Sequence, residues 1–178
     1  MHKLFKSFVV ISALSAVSIT AGFMSAEQAS AQPKKGTDAS YVGAGFAAGV
    51  TNGGQSGGAA TFGGNITGRV KLGESPFSAR TQILFSDDTT AIVPQVSVDA
   101  GIAKNTNAYV AAGYSFVEKN GQPTPLGNKD SVAVTAGVET EVGKNFLIYS
   151  NATVGVDAYE NSPASAINVG GGLGYRFK

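Results

Sequence analysis

The stretch Ile167-Asn-Val-Gly-Gly-Gly-Leu-Gly-Tyr-Arg-Phe177 decides the fold. Apolar residues stand at 167, 169, 173, 175 and 177, with glycine or polar residues between most of them. A period of two is the signature of a β-strand with one apolar face. This strand closes on an aromatic residue, followed by Lys178.

The opening of the chain is of another kind. Met1-His-Lys-Leu-Phe-Lys6 is basic, the run from Phe8 to Met24 is apolar, and Ala29-Ser30-Ala31 offers small residues for cleavage. That order is a secretory signal peptide. The expected organisation is a signal over 1–31 cut after Ala31, a short polar lead-in over 32–39 and one barrel domain over 40–178. An exported strand of this kind suggests an apolar face against lipid and a small, polar face looking inward.

After cleavage the chain holds eleven basic and eleven acidic side chains, so it has no basic excess to attract nucleic acid. Charged residues make up 14% of the whole sequence, against about 25% in typical soluble domains. The mature part has no run of the ~20 apolar residues that a membrane helix needs. Low charge, 24 glycines and no spanning helix point to a membrane β-barrel. Cysteine is absent, so there is no disulfide framework and no lipid-modified N-terminal cysteine.

Eight strand patterns follow one another, over 40–50, 60–72, 77–85, 90–103, 108–117, 131–142, 146–158 and 165–177. Most reach the ~9–11 residues with which a tilted strand crosses a bilayer. Turn-forming stretches at 73–76, 104–107 and 143–145 are tight. The connections at 51–59, 118–130 and 159–164 are longer, and 86–89 is a short exception. Short turns on one side and longer loops on the other are expected of an up-and-down outer-membrane barrel, with the short side periplasmic.

Alternation alone does not say which face is outside, since a soluble lipocalin-like barrel turns its apolar face inward. Two features favour the apolar face outside. The polar face is mostly Gly, Ala, Ser and Thr, which suits a narrow packed lumen. Aromatics also gather at strand ends. Phe77, Phe146, Tyr175 and Phe177 lie by the short turns, and Phe62, Phe85, Tyr114 and Phe116 towards the long loops, as two interfacial girdles would. Pro94 has no N–H to give to a ladder, so a bulge or broken pair is expected there.

With these features the chain resembles the small outer-membrane β-barrel family of the OmpA transmembrane-domain and opacity types. The resemblance covers about Ser40 to Phe177. It rests on strand count, turn asymmetry and the closing Gly172-Leu-Gly-Tyr-Arg-Phe177. It implies an all-β, eight-stranded antiparallel up-and-down transmembrane barrel. It also implies that Leu173, Tyr175 and Phe177 form the C-terminal signal read by the barrel-assembly machinery, although Lys178 after the aromatic departs from the pattern. Members include adhesins, envelope-stabilising proteins and narrow pores.

The best constellation for chemistry is a set of inward-facing charges. The strand register places Arg69, Lys71, Arg80 and Arg176 inside with Asp99, Glu139, Glu141 and Asp157. Buried charges need partners because desolvation is costly. An eight-stranded interior is only wide enough for side chains, which favours an ion-pair plug over a gate. An enzyme is not expected. The single histidine, His2, leaves with the signal, so no histidine-based triad or metal site can be built. Glu139/Glu141 and Asp87/Asp88 are paired carboxylates, read as partners of the lumen arginines and as a solvated turn. No cofactor or metal is expected. Asn65-Ile-Thr67 and Asn151-Ala-Thr153 spell glycosylation sequons but lie inside strands.

The functional expectation is a non-enzymatic outer-membrane barrel with a structural or surface-interaction role, surrounded by outer-membrane lipid and monomeric. The alternatives are a narrow pore, an adhesin acting through the 118–130 loop, and a soluble periplasmic lipocalin-like binder.

Overall fold

The structure is a computed structural model and describes residues 35–54, 61–87 and 89–177. The expected signal, with Ala29, Ser30 and Ala31, lies outside the described residues, as do Lys178, Asp88 and most of the 51–59 loop. Eight strands form one closed barrel in chain order: β1 Ser40–Gly49, β2 Phe62–Lys71, β3 Phe77–Phe85, β4 Thr90–Ala103, β5 Thr106–Val117, β6 Ser131–Val142, β7 Phe146–Val156 and β8 Ala166–Phe177. Every neighbouring pair is antiparallel. The seam from Ser40↔Phe177 to Gly49↔Asn168 closes β8 on β1. Closure leaves no unpaired strand edge, so the ladder uses the backbone polar groups of both terminal strands.

The expected strands are all present, with shifted ends. β5 starts at Thr106 rather than Ala108, because Asn105 alone takes the left-handed conformation (φ 61°) and turns the chain. Asparagine tolerates that region better than most residues. β7 stops at Val156, where Asp157 takes φ 55°. Proline marks a gap as expected. The β4–β5 ladder runs through Ile92↔Phe116, skips Val93 and Pro94, and resumes at Gln95↔Gly113 at the same offset. Those are the positions an N–H on residue 94 would serve. The one register shift in this ladder comes later, between Gly101 and Ala103.

Alternation sorts the side chains. Val42, Ile66, Val96, Ile148 and Leu173 point outward and are between 42% and 63% exposed. Their neighbours along the strands point inward and, Gly172 apart, are buried. This is the reverse of a soluble barrel, whose apolar residues would fill the inside. The inward side chains form three successive levels. Charges and tyrosines occupy the short-turn end. In the middle, Gln82 Nε2 donates to Gln95 Oε1 (3.0 Å) and Gln95 Nε2 donates to Thr135 Oγ1 (2.7 Å), which meets Thr153 Oγ1 at 2.9 Å. Leu84, Val93, Ala47 and Ala91 make an apolar level at the long-loop end.

The 118–130 loop does not stand free at that end. Thr124 and Gly127 exchange backbone hydrogen bonds (2.8 and 3.2 Å), making a tight turn that carries Leu126 into the apolar level, where it is fully buried. Asn128 N–H donates to Ala158 O (2.9 Å), and Glu160 N–H to Asn128 Oδ1 (3.0 Å), tying this loop to the next. Gly127 is required twice over. Its φ is +101°, and a Cβ there would run into the Ala158 carbonyl. Tyr159 packs beside Leu126, and its hydroxyl donates to Thr51 O (2.6 Å). Burial raises the Tyr159 hydroxyl above its ordinary pKa, an effect the Thr51 contact partly offsets.

Because Leu126 fills the mouth, Leu126→Ala should destabilise the folded barrel by about 2–5 kcal/mol. Urea unfolding in detergent, followed by loss of the compact form on gels, measures this. An unchanged midpoint would mean that the loop does not seat there in solution.

Candidate functional site

The site is built by five strands converging near the short-turn end. Arg69 comes from β2, Arg80 and Ser78 from β3, Asp99 and Ser97 from β4, Asn107 and Tyr109 from β5, and Glu139 from β6. Each sits on the inward register of its strand. The two arginines and two acids form a closed ring of ion pairs. Arg69 reaches Asp99 at 2.8 Å and Glu139 at 2.7 Å; Arg80 reaches Asp99 at 2.9 Å and Glu139 at 3.0 Å. All four side chains are nearly or wholly buried. Each arginine bridges both carboxylates, and each carboxylate is ion-paired with both arginines. The quartet is therefore neutral as a whole.

The remaining donors and acceptors are also occupied. Arg69 Nε donates to Ser78 Oγ (3.0 Å), and Arg80 Nε to Ser97 Oγ (2.8 Å). Ser78 and Ser97 in turn donate to Asp99, the latter at 2.9 Å. Asn107 Nδ2 donates to Glu139 Oε1 (3.1 Å). Full satisfaction matters because a buried charge lacking partners costs several kcal/mol, of order 3–5 when one member is removed.

Three tyrosines line the same region. The Arg80 guanidinium lies 3.6 Å from the centre of the Tyr109 ring, a cation–π contact. Tyr41 OH accepts from Arg80 Nη1 (3.2 Å), and the Tyr41 and Tyr149 rings stack with centroids 6.3 Å apart. Tyr149 OH donates to Asn65 Oδ1. Glycines make room for these rings. Tyr109 faces Gly137 across the β5–β6 ladder, and Tyr149 faces Gly172 across β7–β8. A Cβ at either glycine would meet the facing tyrosine.

The lead-in enters the same mouth. Gly36 N–H donates to Ala103 O (2.9 Å). The Thr37 carbonyl accepts from Arg69 Nη1 (3.2 Å) and Asn107 Nδ2 (2.8 Å), and Thr37 Oγ1 donates to Glu141. Two further ion pairs stand around this segment at the rim. Arg176 meets Glu141 at 2.8 Å, and Lys71 pairs with Asp38.

Of the eight charges expected inside, seven therefore gather at the short-turn end, four in the quartet and three in the rim pairs. Asp157 is the correction. Period-two counting carried β7 through residue 158 and turned Asp157 inward. Its positive φ ends the strand and breaks the alternation. Its side chain instead stands 59% exposed at the long-loop end, 3.2 Å from Lys129. The tyrosines, Asn107 and Thr37 went unrecognised in the sequence. Inward register on β1, β5 and β7 was a sufficient signal for the tyrosines, but nothing local marks Thr37 as entering a lumen.

All eight expected girdle aromatics, Phe62, Phe77, Phe85, Tyr114, Phe116, Phe146, Tyr175 and Phe177, are exposed on the outer face, as is Leu173. Phe146 and Tyr175 make an edge contact at 5.7 Å, and Tyr114 and Phe116 lie 4.9 Å apart. Phe46 joins them, stacked on Phe62 at 6.4 Å. Asn65 and Asn151 of the two sequons are buried in the lumen. Among the described residues no group of acids, histidines or cysteines is placed to hold a metal ion.

No protein-family model matches the chain, and no curated protein matches it. Solved structures share its fold. A designed protein from work on transmembrane β-barrels superposes with a TM-score of 0.54 at 11% identity, covering 81% of this chain and all of that one. Ail, the attachment invasion locus protein of Yersinia pestis, gives 0.54 at 16% identity over 79% of this chain and 99% of that one. The N-terminal β-barrel domain of Pseudomonas aeruginosa OprF gives 0.52 at 13% identity over 79% and 98%. At such identities the likeness is one of fold.

The ring of ion pairs makes its members interdependent. Glu139→Ala or Arg80→Ala alone should each cost about 3–5 kcal/mol, because each leaves buried charge unanswered. Arg80→Met with Glu139→Leu should cost clearly less than the sum of the single changes Arg80→Met and Glu139→Leu. Asp157→Asn, which removes the charge and keeps a residue suited to the left-handed backbone, should change stability by less than about 0.5 kcal/mol. Equilibrium unfolding of these variants measures the coupling; additive losses would contradict the ring.

Proposed function

We propose that the protein is a non-enzymatic integral outer-membrane barrel, a monomer, whose lumen is closed and whose role is structural or one of surface interaction. The observation that carries this reading is the inversion of the faces. Large apolar side chains cover the outside from end to end, while arginine, glutamate and aspartate are paired inside. Such a surface is at home in hydrocarbon and unfavourable in water. The two groups of exposed aromatics support the same setting, as does the likeness to structures that include designed transmembrane barrels. Leu173, Tyr175 and Phe177, all on the lipid-facing side of the last strand, are the proposed contact for the assembly machinery.

The closed lumen rests on three levels taken together. The arginine–carboxylate quartet, the glutamine–threonine level and the Leu126 cap each fill part of the barrel's length with paired or apolar side chains, which supports this reading. A narrow pore fits this arrangement poorly. A lipocalin-like binder fits it no better, because the apolar side chains it would use inside are outside. The adhesin reading narrows. Residues 124–128 are buried in the barrel mouth, so 118–122 remain exposed and 123, 129 and 130 only partly so. Ail has been crystallised with sucrose octasulfate, a heparin analogue. The long-loop end of this chain bears more acids than lysines, which does not favour a polyanion there.

The test is cell fractionation, a gel of heated and unheated protein, and planar-bilayer recording. The expected result is an outer-membrane fraction, a heat-dependent mobility shift and no channel current above background. A soluble fraction without a shift would overturn the membrane reading. Steady conductance from the intact protein would overturn the closed lumen.

A further inference from the structure

The two rims of the barrel differ in charge. At the long-loop end five described acids face two lysines, and Asp88 adds a further acid in the sequence. At the short-turn end the balance is reversed. Lys71 is answered by Asp38, and Arg176 by Glu141. Lys35, Lys104 and Lys144 are exposed, and no described carboxylate forms an ion pair with them. The one further described acid on this rim, Glu74, sits on the β2–β3 turn, whereas these lysines lie on the lead-in and on the β4–β5 and β6–β7 turns.

The backbone gathers the three lysines on one arc. Gly36 N–H donates to Ala103 O (2.9 Å) and bridges Lys104, which sets Lys35 beside the β4–β5 turn. Glu141 N–H donates to Asn105 O (2.9 Å), tying that turn to β6, whose own turn carries Lys144. Arg176 Nη1 donates to the Lys144 carbonyl at 3.2 Å. Two residues on from Lys144 stands Phe146, in edge contact on the outer face with Tyr175 of the neighbouring β8. Aromatics at the interface with lysines just beyond them match the profile of a lipid surface. Ring bodies sit at headgroup level, and ammonium groups reach the phosphates.

The geometry points to a binding surface for anionic phospholipid headgroups on this arc, in the leaflet that meets the short turns. This rests on the membrane-barrel reading above and adds a lipid preference to it. The ligand chemistry is a phosphodiester carrying net negative charge, held by mobile ammonium groups and not by a rigid pocket. Its attraction is therefore sensitive to salt, since exposed charges are screened beyond about 8–10 Å at physiological strength. The acidic long-loop rim offers such headgroups no counterpart, so the preference belongs to one end only.

The test uses the full mature chain in vesicles of phosphatidylcholine, and of phosphatidylcholine with phosphatidylglycerol, each doped with spin-labelled lipid. The motionally restricted fraction reports which lipid the barrel holds. The expected result is a roughly two- to fivefold preference for labelled phosphatidylglycerol at low salt. That preference should fall to parity in the triple variant Lys35→Gln, Lys104→Gln, Lys144→Gln, and in high salt. Lys129→Gln, at the opposite rim, should leave it unchanged. Equal restriction of both lipids around the native protein would overturn the inference, as would a preference that survives the triple variant. A protein that shows no heat-dependent mobility shift from either vesicle would overturn the membrane reading itself, which keeps the two failures apart.

Discussion

Charge taken out of water must be answered, and the inside of this barrel is organised around that constraint. Two guanidinium groups and two carboxylates share a space only wide enough for side chains. They form a neutral ring in which every member touches two of opposite sign. The surrounding groups follow from it. Two serines and Asn107 fill the hydrogen-bonding positions left over, and Tyr109 lays its ring against Arg80. The lead-in supplies a backbone carbonyl at Thr37 that serves Arg69 and Asn107 together. Glycines across the ladder from the tyrosines then become necessary, because rings of that size leave no volume for a facing Cβ. The high glycine content is in part a consequence of aromatic groups packed inside a narrow cylinder.

Much of this was legible from alternation. Period two gives both the strands and their faces, and a charge on the inward register has few places to go. The quartet members were identified in that way, each on a separate strand. The same reasoning failed at Asp157, where one left-handed residue ended the strand. Counting by twos has no means of detecting such a residue when it is not glycine. Loops were the other gap. Leu126 lies in a polar stretch with glycine and proline, and nothing local says that it seats in a barrel mouth. Its place depends on Leu84, Val93 and Tyr159, which are far away in sequence. Thr37 is similar. It is a small polar residue in a lead-in, and its role depends on where β5 and β6 have been brought.

The barrel interior thus holds three packed levels in series, each using a different physical device. At the short-turn end it is charge neutralisation, at mid-height an amide and hydroxyl network, and at the long-loop end apolar burial under a folded loop. Their sensitivities differ accordingly. Removing one ion-pair member leaves a charge stranded, whereas trimming the cap leaves a cavity. The outer face carries no such complexity. It is a continuous apolar wall with aromatics towards both ends and opposite charge excess at the two rims.

The most direct measurement exploits the absence of cysteine from the sequence. Single spin labels placed by cysteine substitution at Ile92, Val93, Val96 and Ser97 on β4, in the protein reconstituted in bilayers, report contact with oxygen from lipid and with a water-soluble nickel chelate. The account predicts high oxygen contact at 92 and 96, and little contact with either reagent at 93 and 97. Nickel contact at 92 and 96 would put the apolar face in water and contradict the membrane reading. Nickel contact at 93 and 97 would mean a water-filled lumen and contradict the closed interior.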